Sequence, residues 1–137
     1  MKRELPETVT ATAFQSKNGE YAWPRKHITE ALHEIVKIEQ AILGGEVWVV
    51  RDGKIRGLIP DVAGGPPAVW GWTTLSKQQE ESWHEFCHRT LKESVEAIES
   101  MKVEENSRAD VRDYLFFNVT YITESEYTVR GYGQKMR

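Results

Sequence analysis

The apolar positions change their period several times along the chain, and each change marks an element. From Thr8 to Phe14, Thr, Val and Ala alternate as in a strand. Lys17-Asn18-Gly19 is a turn signal, and Glu20 to Trp23 returns as a second short strand that Pro24 stops. From Arg25 to Leu43 the period becomes helical. Ile28, Ala31, Leu32, Ile35, Ile38 and Ile42 recur at three- and four-residue steps and form one apolar stripe. Gly44-Gly45 is the expected stop, because glycine accepts the left-handed conformation common just past a helix. Glu39 projects into the stripe, where a charge needs a partner or access to water.

Glu46 to Arg51, Asp52-Gly53 and Lys54 to Ile59 form a hairpin pattern, with Asp-Gly supplying the positive φ angles of the tight turn. Residues 60–67, rich in proline and glycine, cannot make a ladder and are predicted to loop. Ala68 to Thr73 follows as a strand that would carry Trp70 and Trp72 on one face. Ser76-Lys77-Gln78-Gln79 has the capping-box form S-x-x-Q and predicts a second helix start. The stripe of that helix runs through Trp83, Phe86, Cys87, Leu91, Val95 and Ile98 to about Met101. Residues 102–110 read as a connection, and Tyr114 to Ile122 as a last strand. The order predicts a single α+β domain over residues 1–137, with segments 1–7 and 128–137 as frayed tails. Its core would be a mainly antiparallel sheet of about four to six strands with two amphipathic helices packed on it.

The 137 residues suffice for one core. Lys and Arg number 18 against 21 Asp and Glu, a formal charge of −3, which argues against a nucleic-acid partner. A single cysteine, Cys87, excludes an internal disulfide framework. Lys2-Arg3 is not followed by the apolar core of a signal peptide, and no apolar run approaches the roughly 20 residues of a membrane span. The expectation is a cytoplasmic protein with no membrane partner.

His84-Glu85-Phe86-Cys87-His88 matches H-E-x-x-H, in which two histidines on one helix face bind zinc and the glutamate activates a water. The context is unfavourable. Arg89 follows directly, no downstream histidine supplies a third ligand, and Glu96 and Glu99 lie too far along the same helix. The motif is therefore read as coincidental, and no metal or cofactor is expected. Cys87 is centred on the apolar stripe, as a small buried hydrophobe would be.

An amphipathic helix runs into Ala41-Ile42-Leu43-Gly44-Gly45-Glu46-Val47-Trp48, then a hairpin and a Trp-bearing strand. A helix of the form Trp83-x-x-Phe86-x-x-Arg89-Thr90 follows, with Val95-x-x-Ile98 behind it, and Tyr114-Leu115-Phe116-Phe117 opens the last strand. This pattern resembles a family of small α+β immunity proteins of bacterial polymorphic-toxin systems, marked by G-x-E or G-x-D after the first helix. Gly45 stands where some members carry a large residue. The resemblance implies a non-enzymatic protein that neutralises one cognate protein toxin.

Large, stiff side chains beside a proline-restricted loop suit such a contact, so Glu46, Trp48, Asp61, Trp70 and Trp72 are the candidate partner-binding residues. The alternative for the two last tryptophans is an inner face covered by the helices. The competing function is a small-ligand or hydrolytic site built from Glu39, Glu46 and nearby tryptophans, with zinc at His84 and His88 as its metal version.

Overall fold

The computed structural model describes residues 4–58, 70–105, 107 and 109–130, the backbone alone for 56–58. The elements are α1 (Glu7–Thr10), β1 (Phe14–Gln15), β2 (Tyr21–Pro24), α2 (Arg25–Lys37), β3 (Ala41–Arg51), β4 (Lys54–Leu58) and β5 (Gly71–Thr73). They continue with α3 (Trp83–Ser100), a 3-10 turn (Arg112–Tyr114), β6 (Leu115–Ile122) and α4 (Glu124–Val129). The strands form one antiparallel sheet in the order β1-β2-β6-β3-β4, with β5 also beside β3. The α+β class is as expected.

β3 is the axis of the sheet. β6 runs along one side of it from Ala41 to Val49. On its other side β4 pairs with Trp48 to Arg51, and β5 pairs with Gly44 to Glu46. Both run antiparallel to β3, so β4 and β5 lie end to end along the same edge of it. The Asp52-Gly53 turn has φ of 56° and 72°, as that dipeptide predicts.

α2 and α3 pack on one face. Trp23, Ile28, Leu32, Ile35, Ile42, Val47, Phe86 and Phe117 fill the space between helices and sheet. A smaller cluster of Ala22, Trp48 and Val50, with Phe14 and Phe116 against it, lies on the opposite face. β3 is thus covered on both sides, which explains its unbroken apolar run from Val47 to Val50.

Several expectations need correction. Thr8 to Thr10 belong to a short helix, and the opening strand is reduced to Phe14 and Gln15. The first long helix ends at Lys37 rather than Leu43. Its stop is a Schellman motif in which Glu39, not glycine, takes the left-handed position at φ 61°. Glu39 N–H donates to the Val36 carbonyl (2.9 Å) and Gln40 N–H to that of Ile35 (3.2 Å). Glu39 is exposed and lies off the apolar stripe.

Gly44 and Gly45 are strand residues, not helix stops. A bulge between Ile42 and Gly44 puts Gly44 at φ 151°, a region open to glycine. Two buried threonines serve the main chain there: Ile42 N–H donates to Thr90 Oγ1 (3.0 Å), and Thr74 Oγ1 donates to the Ile42 carbonyl (2.7 Å).

The capping box of α3 is Ser82-x-x-Glu85, not Ser76-x-x-Gln79. Ser82 Oγ accepts from Glu85 N–H (3.0 Å), and Glu85 Oε1 accepts from Ser82 N–H (2.8 Å). Residues 75 and 76 are instead drawn onto α3 by Arg89. Its guanidinium donates to both their carbonyls and bridges Glu81 and Glu93. The strand expected from Ala68 is formed from Gly71 to Thr73, with 68 and 69 outside the described residues. Beyond β6 the chain turns into α4, started by a second capping box at Thr123 and Glu126.

Candidate partner-binding surface

The face of the sheet away from α2 and α3 is a grid set by register. Ala22, Asn118, Glu46 and Gly71 stand opposite one another across β2, β6, β3 and β5. Thr120, Gly44 and Thr73 form the next row across β6, β3 and β5. Directly opposed residues share a face. Between the two rows lies an open depression of about 430 Å³. Glu20, Leu43, Glu46, Trp72, Thr73, Asn118 and Thr120 surround its floor of Gly44 and Gly45, so the candidates Glu46 and Trp72 both line it.

Two of these groups are held in fixed orientation. The Trp48 indole N–H donates to Glu46 Oε1 at 2.8 Å. Asn118, only 3% exposed, donates through Nδ2 to the Tyr21 carbonyl at 2.9 Å. Its amide is thereby oriented by the neighbouring strand.

The four described candidate residues divide between two faces. Glu46 and Trp48 are together on the open face, Glu46 half-buried at the rim of the depression. Trp48 is 4% exposed and edge-on to Phe14, so it positions Glu46 rather than offering area of its own. Trp70 and Trp72 are half-buried and pack against the helix-side core. Trp72 Nε1 donates to Ser94 Oγ of α3 (2.9 Å). The Trp70 carbonyl accepts from Val47 N–H (2.9 Å), while its indole N–H is buried with no hydrogen-bond partner among the described residues. Asp61 lies outside the described residues. Asn118 and Thr120 were missed, although alternation with Phe116 along Tyr114 to Ile122 already marks them as sharing a face.

His84 and His88 are exposed on α3, with ring centroids 4.3 Å apart. Among the described residues no group of three or more His, Cys, Asp or Glu could hold a metal ion. Arg89 does not crowd the histidines, as its sequence position suggested; it is occupied by Glu81 and Glu93. Glu39 sits at the turn into β3, and its carbonyl accepts from Trp83 Nε1 (2.8 Å). Burial, with smaller contributions from Glu39 and Glu124, pushes the Cys87 thiol up to about 12, so it stays protonated. No described helix is long and apolar enough to cross a membrane.

The model of the immunity protein 40 family matches residues 13–119, from the strand preceding the first turn to most of β6. The chain belongs to the immunity protein 40 family. Comparison with curated proteins and with solved structures gives no match. For this immunity protein 40 member, the matched span contains both long helices and every strand except the end of β6. The depression and the candidates Glu46, Trp48, Trp70 and Trp72 therefore lie inside it, except for Thr120 at its rim.

Proposed function

We propose that this protein neutralises one cognate bacterial toxin of the polymorphic class by direct contact in the cytoplasm, without chemistry of its own. The family match over residues 13–119 carries the reading. The site geometry supports it: the open sheet face offers fixed acceptors in a shallow hollow rather than an enclosed apolar cavity of the kind small ligands favour. The contact surface is centred on Glu46, with Trp48 behind it and the β4–β5 edge beside it. Trp70 and Trp72 support that edge from the helix side.

The test is co-expression with the toxin domain encoded next to this gene. Growth should be rescued by the parent chain, and the two purified proteins should form a stoichiometric complex. A toxin that kills equally with and without this chain, and does not bind it, would remove the reading.

A further inference from the structure

We propose that the depression over Gly44 is a receptor for one basic side chain, arginine by preference, presented by the toxin. The inference rests on the reading of this chain as a toxin-binding protein and names what its central hollow takes.

The lining is one-sided in chemistry. Its ionisable members, Glu20 and Glu46, are both acidic, and no lysine or arginine lines it. Glu46 Oε1 is occupied by the Trp48 indole, and among the described residues its second oxygen has no partner. Asn118 adds an independent sign. Its Nδ2 is used on the Tyr21 carbonyl, which fixes the amide and leaves Oδ1 as a free acceptor in a residue 97% buried at the wall of the hollow. Water can serve these oxygens in the free protein. Once a partner covers the face, each acceptor needs a donor or its desolvation is uncompensated.

A guanidinium brings five N–H donors and no acceptor in a rigid plane, which suits acceptors spread around a hollow. Gly44 and Gly45 line the hollow with bare main chain, against which its stem can lie. An apolar or acidic side chain would bury Glu46 and Asn118 unpaired. A divalent cation needs six or so oxygens converging at about 2.0–2.6 Å, and the described residues contain no acidic cluster that could supply them.

Two experiments decide it. In the first, the ¹⁵N-labelled protein is titrated with N-acetyl-arginine amide and with its citrulline counterpart, which has the same shape without the charge. The Trp48 indole N–H and Asn118 side-chain amide signals should move with arginine and not with citrulline. The movement should collapse in Glu46→Gln, which keeps an acceptor for Trp48. No movement, an equal response to citrulline, or a stronger response to calcium or magnesium would overturn the proposal.

In the second, Glu46→Gln should weaken binding of the toxin domain by about tenfold or more, the loss of one charge-assisted pair, at unchanged melting temperature. Equal affinity of parent and Glu46→Gln would overturn the receptor role and leave the immunity function standing. If the parent itself fails to bind, the proposed function falls, and with it the toxin as the source of the side chain.

Discussion

The six-membered ring of Trp72 occupies the space that a side chain on Gly45 would need, and the Asn118 carbonyl closes the same space from the neighbouring strand. Glycine is required there by contacts on both sides of β3, not by a turn. Gly45→Ala should therefore cost about 1–3 kcal/mol, the usual range for forcing extra volume into a packed site. Removing the ring should restore only part of this, because the Asn118 carbonyl is main chain and cannot step aside. Urea unfolding of Gly45→Ala, Trp72→Ala and the double variant checks it, and complete recovery in the double variant would assign the whole effect to the ring.

Trp72→Phe separates support of the fold from contact with a partner. The change keeps most of the ring but removes the donor to Ser94, whose side chain belongs to a fully buried residue. An unpaired buried hydroxyl costs about 1–3 kcal/mol. The expected result is a lower melting temperature with unchanged toxin affinity below the transition. A parent-like melt with weakened binding would place Trp72 in the contact instead.

The sequence declared some of this plainly. Asp52-Gly53 carries its own turn chemistry, and the stripe from Phe86 to Ile98 has a single period. The junction of α2 and β3 was hidden because Ile38 and Ile42 fit a helical step equally well, while the actual stop is a glutamate in a position that favours glycine. Gly44-Gly45 mimicked a stop because the residues that demand glycine, Trp72 and Asn118, come from strands far along the chain. Ser76-x-x-Gln79 and Ser82-x-x-Glu85 satisfy the same motif; Arg89 decides between them by holding the Leu75 and Ser76 carbonyls. Glu46 was legible as a site residue from its place beside the glycines. Asn118 became one only when register set it opposite Glu46.

Glu39→Gly should stabilise the protein. A left-handed conformation costs a non-glycine residue roughly 1–2 kcal/mol, and glycine recovers part of that against its greater freedom when unfolded. The contact of Trp83 is with the Glu39 main-chain carbonyl and survives the change. A rise of about 1 kcal/mol in urea, with the slope of the transition unaltered, is expected. A loss of stability would show that the glutamate side chain holds the turn.

Acid should loosen the clasp between α3 and the segment before it. The hydrogen bond from Arg89 to Glu81 holds that carboxyl down at about 2, against an ordinary value of 4.5. A folded-state value below the unfolded one contributes stability that is complete above about pH 4.5 and drains away as pH falls toward 2. Glu104 adds to the same limb: burial pushes its carboxyl up, but the Arg25 hydrogen bond, a backbone hydrogen bond and the Arg25 charge together outweigh this and leave it lowered. The melting temperature of the parent should fall between pH 5 and pH 2.5, and in Glu81→Gln the fall should be shallower. Parallel curves for the two proteins would show that Glu81 contributes nothing to the acid limb.

The register of the edge strand predicts the outcome of removing residues 59–69. Trp48 faces Leu58 and Glu46 faces Gly71, so two steps back along β3 correspond to thirteen steps forward on the edge, eleven more than an unbroken strand uses. Residues 59–69 are eleven in number, and Trp70 already presents its carbonyl to Val47. Deleting 59–69 should join Leu58 directly to Trp70 as one continuous strand in register. It also removes the entropic cost of closing a connection of n residues, about (3/2)RT ln n. The shortened protein should therefore fold with a urea midpoint no lower than the parent's. The deleted segment contains Asp61 and three prolines, Pro60, Pro66 and Pro67, a residue type whose restricted backbone suits a preorganised contact. Loss of growth rescue by a shortened chain that melts like the parent is the expected outcome. Rescue at the parent's level would take the segment out of the contact surface, and failure to fold would show that β4 and β5 are not halves of a single strand.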